Sequence, residues 1–158
     1  MTPVYEPWNA ARGAEIIAGH AHLEGATLVI LHALQDSFGY VPEPAIPVIA
    51  SALNLSRAEV HGVVTFYPDF RREPAGRHVL KLCRAEACQA AGGDALAARA
   101  EAKLGIAIGN TTADQRTTLE PIYCLGLCAT APSAMLDGRV VGRLDEARID
   151  ALLAEAQR

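Results

Sequence analysis

Four cysteines in two close pairs are the residues of this 158-residue chain whose types and spacing best support chemistry. Cys83 and Cys88 form a C-x4-C pair, Cys124 and Cys128 form a C-x3-C pair, and 35 residues separate the two pairs. Cysteine thiolates are the usual ligands of iron–sulfur clusters. A binuclear cluster has two irons that each take two protein ligands, so two pairs satisfy it with none left over. The spacing therefore predicts a [2Fe–2S] cluster bound by these four residues and a function in electron transfer.

Other uses of four cysteines remain open but fit this spacing less well. Structural zinc also takes four cysteines, although its usual C-x2-C knuckles are narrower than either pair. A cubane cluster usually has C-x2-C-x2-C runs, which the chain lacks, and a Rieske centre needs two histidine ligands. None of the five histidines is predicted to be a ligand: His20, His22, His32, His61 and His78. Four inert buried cysteines, or an assembly module with zinc or no metal, are the remaining alternatives.

Composition narrows the function classes further. The net charge is −4 and no basic stripe occurs, so nucleic acid is not an expected partner. The N-terminus lacks the regions of a signal peptide, and the longest apolar stretch, around residues 28–34, is far shorter than the ~20 residues that span a bilayer. A cytoplasmic protein without membrane insertion is expected, and there paired cysteines favour metal binding over disulfides. No nucleotide-binding fingerprint and no catalytic residue is predicted, so electrons must pass between partners.

The first domain, residues 1–72, is predicted to be a four-helix bundle. Helical spacing of apolar residues occurs over 10–22 and 25–38, and a third helix follows the turn at 41–44. Ser56 and Glu59 form a capping box that starts the fourth helix. The apolar stripe of that helix is predicted to consist of Val60, Val63, Val64 and Tyr67.

The second domain, residues 73–158, is predicted to be an α/β domain. Its elements are a strand at 78–82, a helical region at 85–104 broken by two glycines, a strand at 117–123, a hairpin at 133–142 and a final helix capped by Asp145. Pro121 predicts either an edge position or a bulge for the second strand, because proline cannot donate to the sheet. Each cysteine pair follows a predicted strand, so two strand ends are expected to position the four thiols.

These residues together resemble the thioredoxin-like [2Fe–2S] ferredoxin family. The N-terminal half carries 60–67 (VHGVVTFY), similar to a family segment that ends in Thr-Phe-Tyr. The second half carries the C-x4-C pair followed by Gly92, and 124–128 (CLGLC) followed by Ala131 and Pro132. The family includes the small peripheral subunit of respiratory complex I and matching subunits of NAD-reducing hydrogenases and NAD-dependent formate dehydrogenases. The resemblance covers nearly the whole chain and implies a helical domain, a thioredoxin-like domain and all four cysteines as cluster ligands.

Within the family, 83–90 (CRAEACQA) and 119–124 (LEPIYC) look most like the gamma subunit of molybdenum-containing, NAD-dependent formate dehydrogenases. The resemblance implies an iron–sulfur partner subunit that binds FMN and NAD, and a molybdenum subunit that oxidises formate. The equivalent subunit of complex I or of an NAD-reducing hydrogenase is the alternative. The chain departs from the family at 113–115 (ADQ), where many members have an Asp-Gly turn. Since Gln115 disfavours a positive φ, this loop is expected to differ in shape.

Residues near the proposed ligands are expected to influence the cluster. Arg84 favours the reduced state and Glu86 opposes it, because they carry opposite charges inside the first ligand loop. Gly126 lets the second loop approach the cofactor closely and adopt a positive φ. In thioredoxin-like folds a cis proline often lies beside the active loop, which makes Pro132 the candidate for a cis bond.

Overall fold

A computed structural model describes residues 5–158 of the chain. The described residues divide into two compact units, 5–74 and 75–158. The domain ranges 1–72 and 73–158 remain a proposal, because compact units need not fold independently. No helix within residues 5–158 has both the length and the hydropathy needed to span a bilayer.

Four helices form the first unit, as the sequence predicts: α1 (Ala10–His20), α2 (Ala26–Phe38), α3 (Ala45–Leu53) and α4 (Arg57–Phe66). They share one core, in which Ile30, Leu31, Leu34 and Ile49 are fully buried. The first helix is two residues shorter than predicted at its C-terminus, since Ala21 and His22 belong to the turn that precedes α2.

Local hydrogen bonds explain where α4 begins and ends. The predicted capping box is present: the Glu59 amide donates to Ser56 Oγ at 3.2 Å, and the Ser56 amide donates to Glu59 Oε2 at 2.8 Å. The prediction that Tyr67 continues the apolar stripe is wrong. Tyr67 ends the helix in an extended conformation (φ −90°, ψ 115°) and is exposed, because Pro68 disfavours helical geometry in the residue before it.

The second unit is an α/β domain built on a four-stranded sheet. Its strands are β1 (His78–Cys83), β2 (Thr117–Ile122), β3 (Ala134–Leu136) and β4 (Arg139–Val141), in the spatial order β2-β1-β3-β4. β1 pairs parallel with β2 and antiparallel with β3, and β3 pairs antiparallel with β4. The helices are α5 (Glu86–Ala90), α6 (Gly93–Leu104) and α7 (Glu146–Ala156).

Local sequence features of this unit agree with its observed topology. α5 and α6 form the crossover that two parallel strands require. β2 lies at one end of the strand order, which confirms the edge position, one of the two alternatives predicted from Pro121. Asp137 (φ 48°) and Gly138 (φ 85°) both adopt left-handed geometry in the tight turn between β3 and β4. The Asp145 side chain caps α7, as predicted, by accepting a hydrogen bond from the Arg148 amide at 2.8 Å.

Gln115 adopts left-handed geometry, although its side chain makes this conformation costly. Gln115 has a φ of 58°, so the loop turns here without the glycine that many family members use. Hydrogen bonds around the neighbouring Asp114 hold this conformation: Asp114 Oδ1 accepts from the Thr112 hydroxyl at 2.6 Å and from the Arg116 amide at 3.1 Å. The bond from Thr112, followed by that from Arg116, lowers the pKa of Asp114.

Gln115→Gly is therefore expected to stabilise the protein. Glycine removes the steric cost of left-handed geometry, and after the larger chain entropy that it adds to the unfolded state the net gain is about 0.5–1 kcal/mol. Urea unfolding measures the change. Gln115→Ala is the matched control, since alanine keeps the steric cost and should give no comparable gain. A glycine variant no more stable than the alanine variant would contradict the prediction.

Candidate functional site

The four cysteines lie at the carboxyl ends of the two parallel strands. Cys83 is the last residue of β1, and Cys88 lies in the short helix α5 that follows. Cys124 comes two residues after the end of β2, and Cys128 begins a 3₁₀ turn, Cys128–Thr130. In the register of the sheet Cys83 is paired with Ile122, so parallel pairing brings both loops to one edge of the sheet.

The sulfur atoms of the second pair lie close to each other. Cys124 Sγ and Cys128 Sγ are 3.6 Å apart. The pKa of the Cys128 thiol is raised. The largest causes are the hydrogen bond to Cys124 and the charge of Cys124, and burial and the charges of Cys88 and Cys83 add to them. Burial acts to raise the pKa of Cys83, but hydrogen bonds from the Ala85 amide, Cys88, the Cys124 amide and Ser133 together lower it. In each loop, residues of the other loop therefore affect the pKa of a cysteine thiol.

The two pairs differ in their access to solvent. Cys83 and Cys88 are buried, with 4% and 1% of their surface exposed, whereas Cys124 and Cys128 are exposed. The exposed pair lies in a stretch, 121–136, that contains no charged residue. A cofactor held by these four thiols would therefore have one inner side within the protein and one outer side open to a partner.

The backbone of the second loop is shaped to face a cofactor. Gly126 has a φ of 75°, which confirms the predicted positive φ, and its amide donates to Cys124 Sγ at 3.3 Å. Cys124 itself has a φ of 84°, a conformation that costs a non-glycine residue about 1–3 kcal/mol and occurs often at functional sites. Amide groups that point at sulfur favour extra negative charge there.

The charged residues of the first loop have different surroundings. Arg84 Nη2 lies 3.1 Å from Asp94 Oδ1, and the Arg84 amide donates to the Ile122 carbonyl at 2.8 Å. Within residues 5–158, Arg84 Nε is buried without a hydrogen-bond partner. A buried donor without a partner is costly, and an acceptor supplied by a cofactor would remove that cost. Glu86 is exposed.

The chemistry of the donors at this site fits a binuclear cluster. A structural zinc site needs four ligands around one point, whereas a binuclear cluster divides four thiolates between two irons. Three features fit that cofactor: the four thiols, the Gly126 amide that donates to Cys124 Sγ, and the buried Arg84 Nε that has no hydrogen-bond partner among the described residues.

Two residues at the site escape prediction from the sequence. Ser133 is buried next to Cys88, with its Oγ 3.5 Å from Cys88 Sγ. Gly93 lies against the Cys88 carbonyl, so close that a Cβ at Gly93 would be 2.6 Å from that oxygen. Gly92 and Gly93 predict a break in the helix, but no neighbouring residue in the sequence indicates that Gly93 contacts Cys88. The Ala131–Pro132 bond, for which the sequence leaves both isomers open, is cis.

Comparisons with known proteins agree with this geometry. The family model described as thioredoxin-like [2Fe–2S] ferredoxin matches residues 13–157. One subunit of the NADH-quinone oxidoreductase of Pseudomonas aeruginosa is 40% identical over 112 residues, which are 71% of this chain and 68% of that protein. The corresponding Escherichia coli protein is 39% identical over 128 residues, 81% of this chain and 77% of that protein. NADP-reducing hydrogenase subunit HndA of Solidesulfovibrio fructosivorans is 33% identical over 132 residues, 84% of this chain and 77% of that protein.

A solved structure with the same fold belongs to a larger chain. The crystal structure of an NAD+-reducing [NiFe]-hydrogenase in the air-oxidized state matches with a TM-score of 0.69 and 31% sequence identity. The match covers 83% of this chain but 22% of the hydrogenase chain, so the chain spans about a fifth of that protein. The family match over nearly the whole length, together with the paired thiols at two strand ends, leads to one conclusion: this chain belongs to the thioredoxin-like [2Fe–2S] ferredoxin family, whose cofactor is a [2Fe–2S] cluster.

Proposed function

We propose that the chain is an electron-transfer subunit in which Cys83, Cys88, Cys124 and Cys128 hold the [2Fe–2S] cluster. The observation that carries this proposal is the meeting of both thiol pairs at one edge of the sheet. When bound, the cluster accepts and returns one electron. The partner that exchanges electrons with it is proposed to be a subunit that binds FMN and NAD and carries its own iron–sulfur centre.

The protein groups have separate tasks in this proposal. Cys83 and Cys88 hold the cofactor from the interior and keep water away from that side, because both are buried. Cys124 and Cys128 hold it from the surface, where a partner can approach most closely. The Gly126 amide stabilises negative charge on Cys124 Sγ through its hydrogen bond of 3.3 Å.

The parent complex is proposed to be a soluble, cytoplasmic NAD-dependent formate dehydrogenase with a molybdenum subunit that oxidises formate. Support for this choice comes from the segments 83–90 and 119–124, which look most like its gamma subunit. The names of the relatives support the alternative equally well. They are subunits of NADH-quinone oxidoreductase and of an NADP-reducing hydrogenase, so the equivalent subunit of complex I or of a hydrogenase is the second candidate.

Purification of the native complex through a tag on this chain tests the choice between parents. A formate dehydrogenase should contain molybdenum and FMN and reduce NAD with formate. Quinone reduction by NADH without molybdenum would assign the chain to complex I, and NAD reduction by hydrogen with nickel present would assign it to a hydrogenase. A purified chain that is colourless and contains zinc or no metal would overturn the electron-transfer proposal itself.

Arg84→Thr is expected to lower the midpoint potential of the cluster. Removing a positive charge from the first ligand loop destabilises the more negative, reduced state. The ion pair with Asp94 and solvent screening limit the shift to the order of tens of millivolts. Asp94→Asn is the matched control with the opposite sign, since it leaves the Arg84 charge uncompensated and should raise the potential. Redox titration followed by EPR measures both, and an unchanged or raised potential in Arg84→Thr would exclude Arg84 as a determinant.

A further inference from the structure

Ser133 differs from the other buried hydroxyl-bearing residues of this unit in the atom that it contacts. The hydroxyls of the buried Thr117 and Thr112 donate hydrogen bonds to oxygen atoms. Thr117 Oγ1 donates to the Ala156 carbonyl at 2.7 Å, and Thr112 Oγ1 donates to Asp114 Oδ1 at 2.6 Å. The Ser133 hydroxyl instead lies 3.5 Å from Cys88 Sγ. Ser133 is 2% exposed and Cys88 is 1% exposed, so water does not compete for this contact.

The position of the Ser133 hydroxyl is set by the sheet. The Ser133 carbonyl accepts a hydrogen bond from the Cys83 amide at 3.0 Å, and the next residue, Ala134, is paired with Leu82 in β1. Ser133 is thus held against the strand that carries the first cysteine while its side chain reaches the second.

We propose that the Ser133 hydroxyl donates a hydrogen bond to the Cys88 thiolate and thereby raises the midpoint potential of the cluster. A thiolate has no proton, so in the loaded protein the hydroxyl must be the donor. Hydrogen bonds to charged acceptors are the stronger ones, and a low local dielectric strengthens them further. Reduction adds negative charge to the ligands, so the bond stabilises the reduced state more than the oxidised state. This inference rests on the proposed function, because it requires Cys88 to be a ligand.

Ser133→Ala tests the proposal in the cluster-loaded full chain. Alanine removes the hydroxyl without adding an atom, so the fold should be retained. The expected result is a more negative midpoint potential by EPR-monitored titration. At the potential where half of the wild-type protein is reduced, the ratio of reduced to oxidised variant should fall about threefold, the effect of losing part of one hydrogen bond. Resonance Raman spectroscopy should also show a higher iron–cysteine stretching frequency, because the thiolate donates more strongly to iron once the bond is lost.

Thr117→Val is the matched control for loss of a buried hydroxyl. Thr117 lies at the opposite end of β2 from the cysteines, and its side chain is replaced by one of nearly the same shape. This variant should lose stability but keep the wild-type potential and Raman spectrum. If Thr117→Val shifts the potential as much as Ser133→Ala does, the effect is one of general stability and the proposal is overturned.

Iron and sulfide analysis separates failure of this proposal from failure of the proposed function. A Ser133→Ala protein with the wild-type cluster content and an unchanged potential overturns the hydrogen bond but leaves the ligand set intact. A wild-type chain without iron overturns both. If Ser133→Ala loses the cluster, Ser133→Thr is the deciding variant, because it keeps the hydroxyl. A Ser133→Thr protein that retains the cluster at the wild-type potential supports the hydrogen bond. Loss of the cluster from both variants overturns the proposal and assigns Ser133 a packing contact instead.

Discussion

Replacing Cys83 by alanine is expected to abolish cluster binding. Iron and acid-labile sulfide should fall from two of each per chain, the content of a [2Fe–2S] cluster, to near zero. Cys83 ends β1 and is 4% exposed, so water has little access to take the place of its thiolate on iron. The loss should appear as the disappearance of visible absorbance in protein purified without oxygen.

Serine substitutions should separate the two pairs of cysteines. At Cys83 and Cys88 the shorter serine side chain is held by the strand end or by α5 in a buried position, and we expect complete loss of the cluster. At Cys124 and Cys128 the loop is exposed and contains Gly126, so it can move to bring a serine oxygen or a water molecule to iron. We therefore expect variants of the exposed pair to retain a cluster with an altered spectrum.

Ala87→Ser is the control, because it places a hydroxyl in the first ligand loop without removing a sulfur. It should keep the full iron and sulfide content. If Cys83→Ala keeps that content as well, Cys83 is not a ligand. Equal retention of the cluster in serine variants of both pairs would show that burial does not control how well each ligand can be replaced.

Features encoded by a few neighbouring residues were predictable from the sequence. Ser56 and Glu59 specify the start of α4 through side chains three residues apart, and Asp145 does the same for α7. The turn at Asp137 and Gly138 requires left-handed geometry that these residue types tolerate. Tyr67 fits the periodic apolar pattern but lies outside the helix, because Pro68 disfavours helical geometry in the residue before it.

Features that depend on the pairing of distant segments were not predictable. Ser133 and Cys88 are 45 residues apart, and they meet because the start of β3 lies beside β1. The difference in burial between the two cysteine pairs has the same origin, since it depends on which loop the neighbouring elements cover. Gln115 adopts a positive φ because hydrogen bonds to Asp114 offset part of its cost. The spacing of the cysteines predicted the kind of cofactor, but the sheet determines its surroundings.

Gly93→Ala is expected to destabilise the protein and to shift the backbone at Cys88, although Gly93 is not itself a proposed ligand. A Cβ at this position would lie 2.6 Å from the Cys88 carbonyl oxygen and 3.0 Å from its carbonyl carbon. Both atoms belong to the backbone, so no side-chain rotation relieves the contact. Either α6 moves away or the Cys88 backbone shifts, and overpacking of this kind costs about 1–3 kcal/mol. We expect a lower midpoint of urea unfolding and a reduced cluster content.

Gly92→Ala provides a control one residue away that separates backbone strain from this contact. Gly92 has a φ of 90°, so alanine is strained there, but no atom beyond its two neighbours in the chain lies within 4 Å of the position that its Cβ would take. The Gly92 variant should therefore lose stability while the spectrum and iron content of its remaining folded protein stay those of the wild type. Gly93→Ala should change both stability and spectrum, because the clash acts on the backbone of the Cys88 residue itself. A Gly93 variant with the wild-type spectrum would show that α6 yields to the added methyl group and that the position of Cys88 does not depend on this packing.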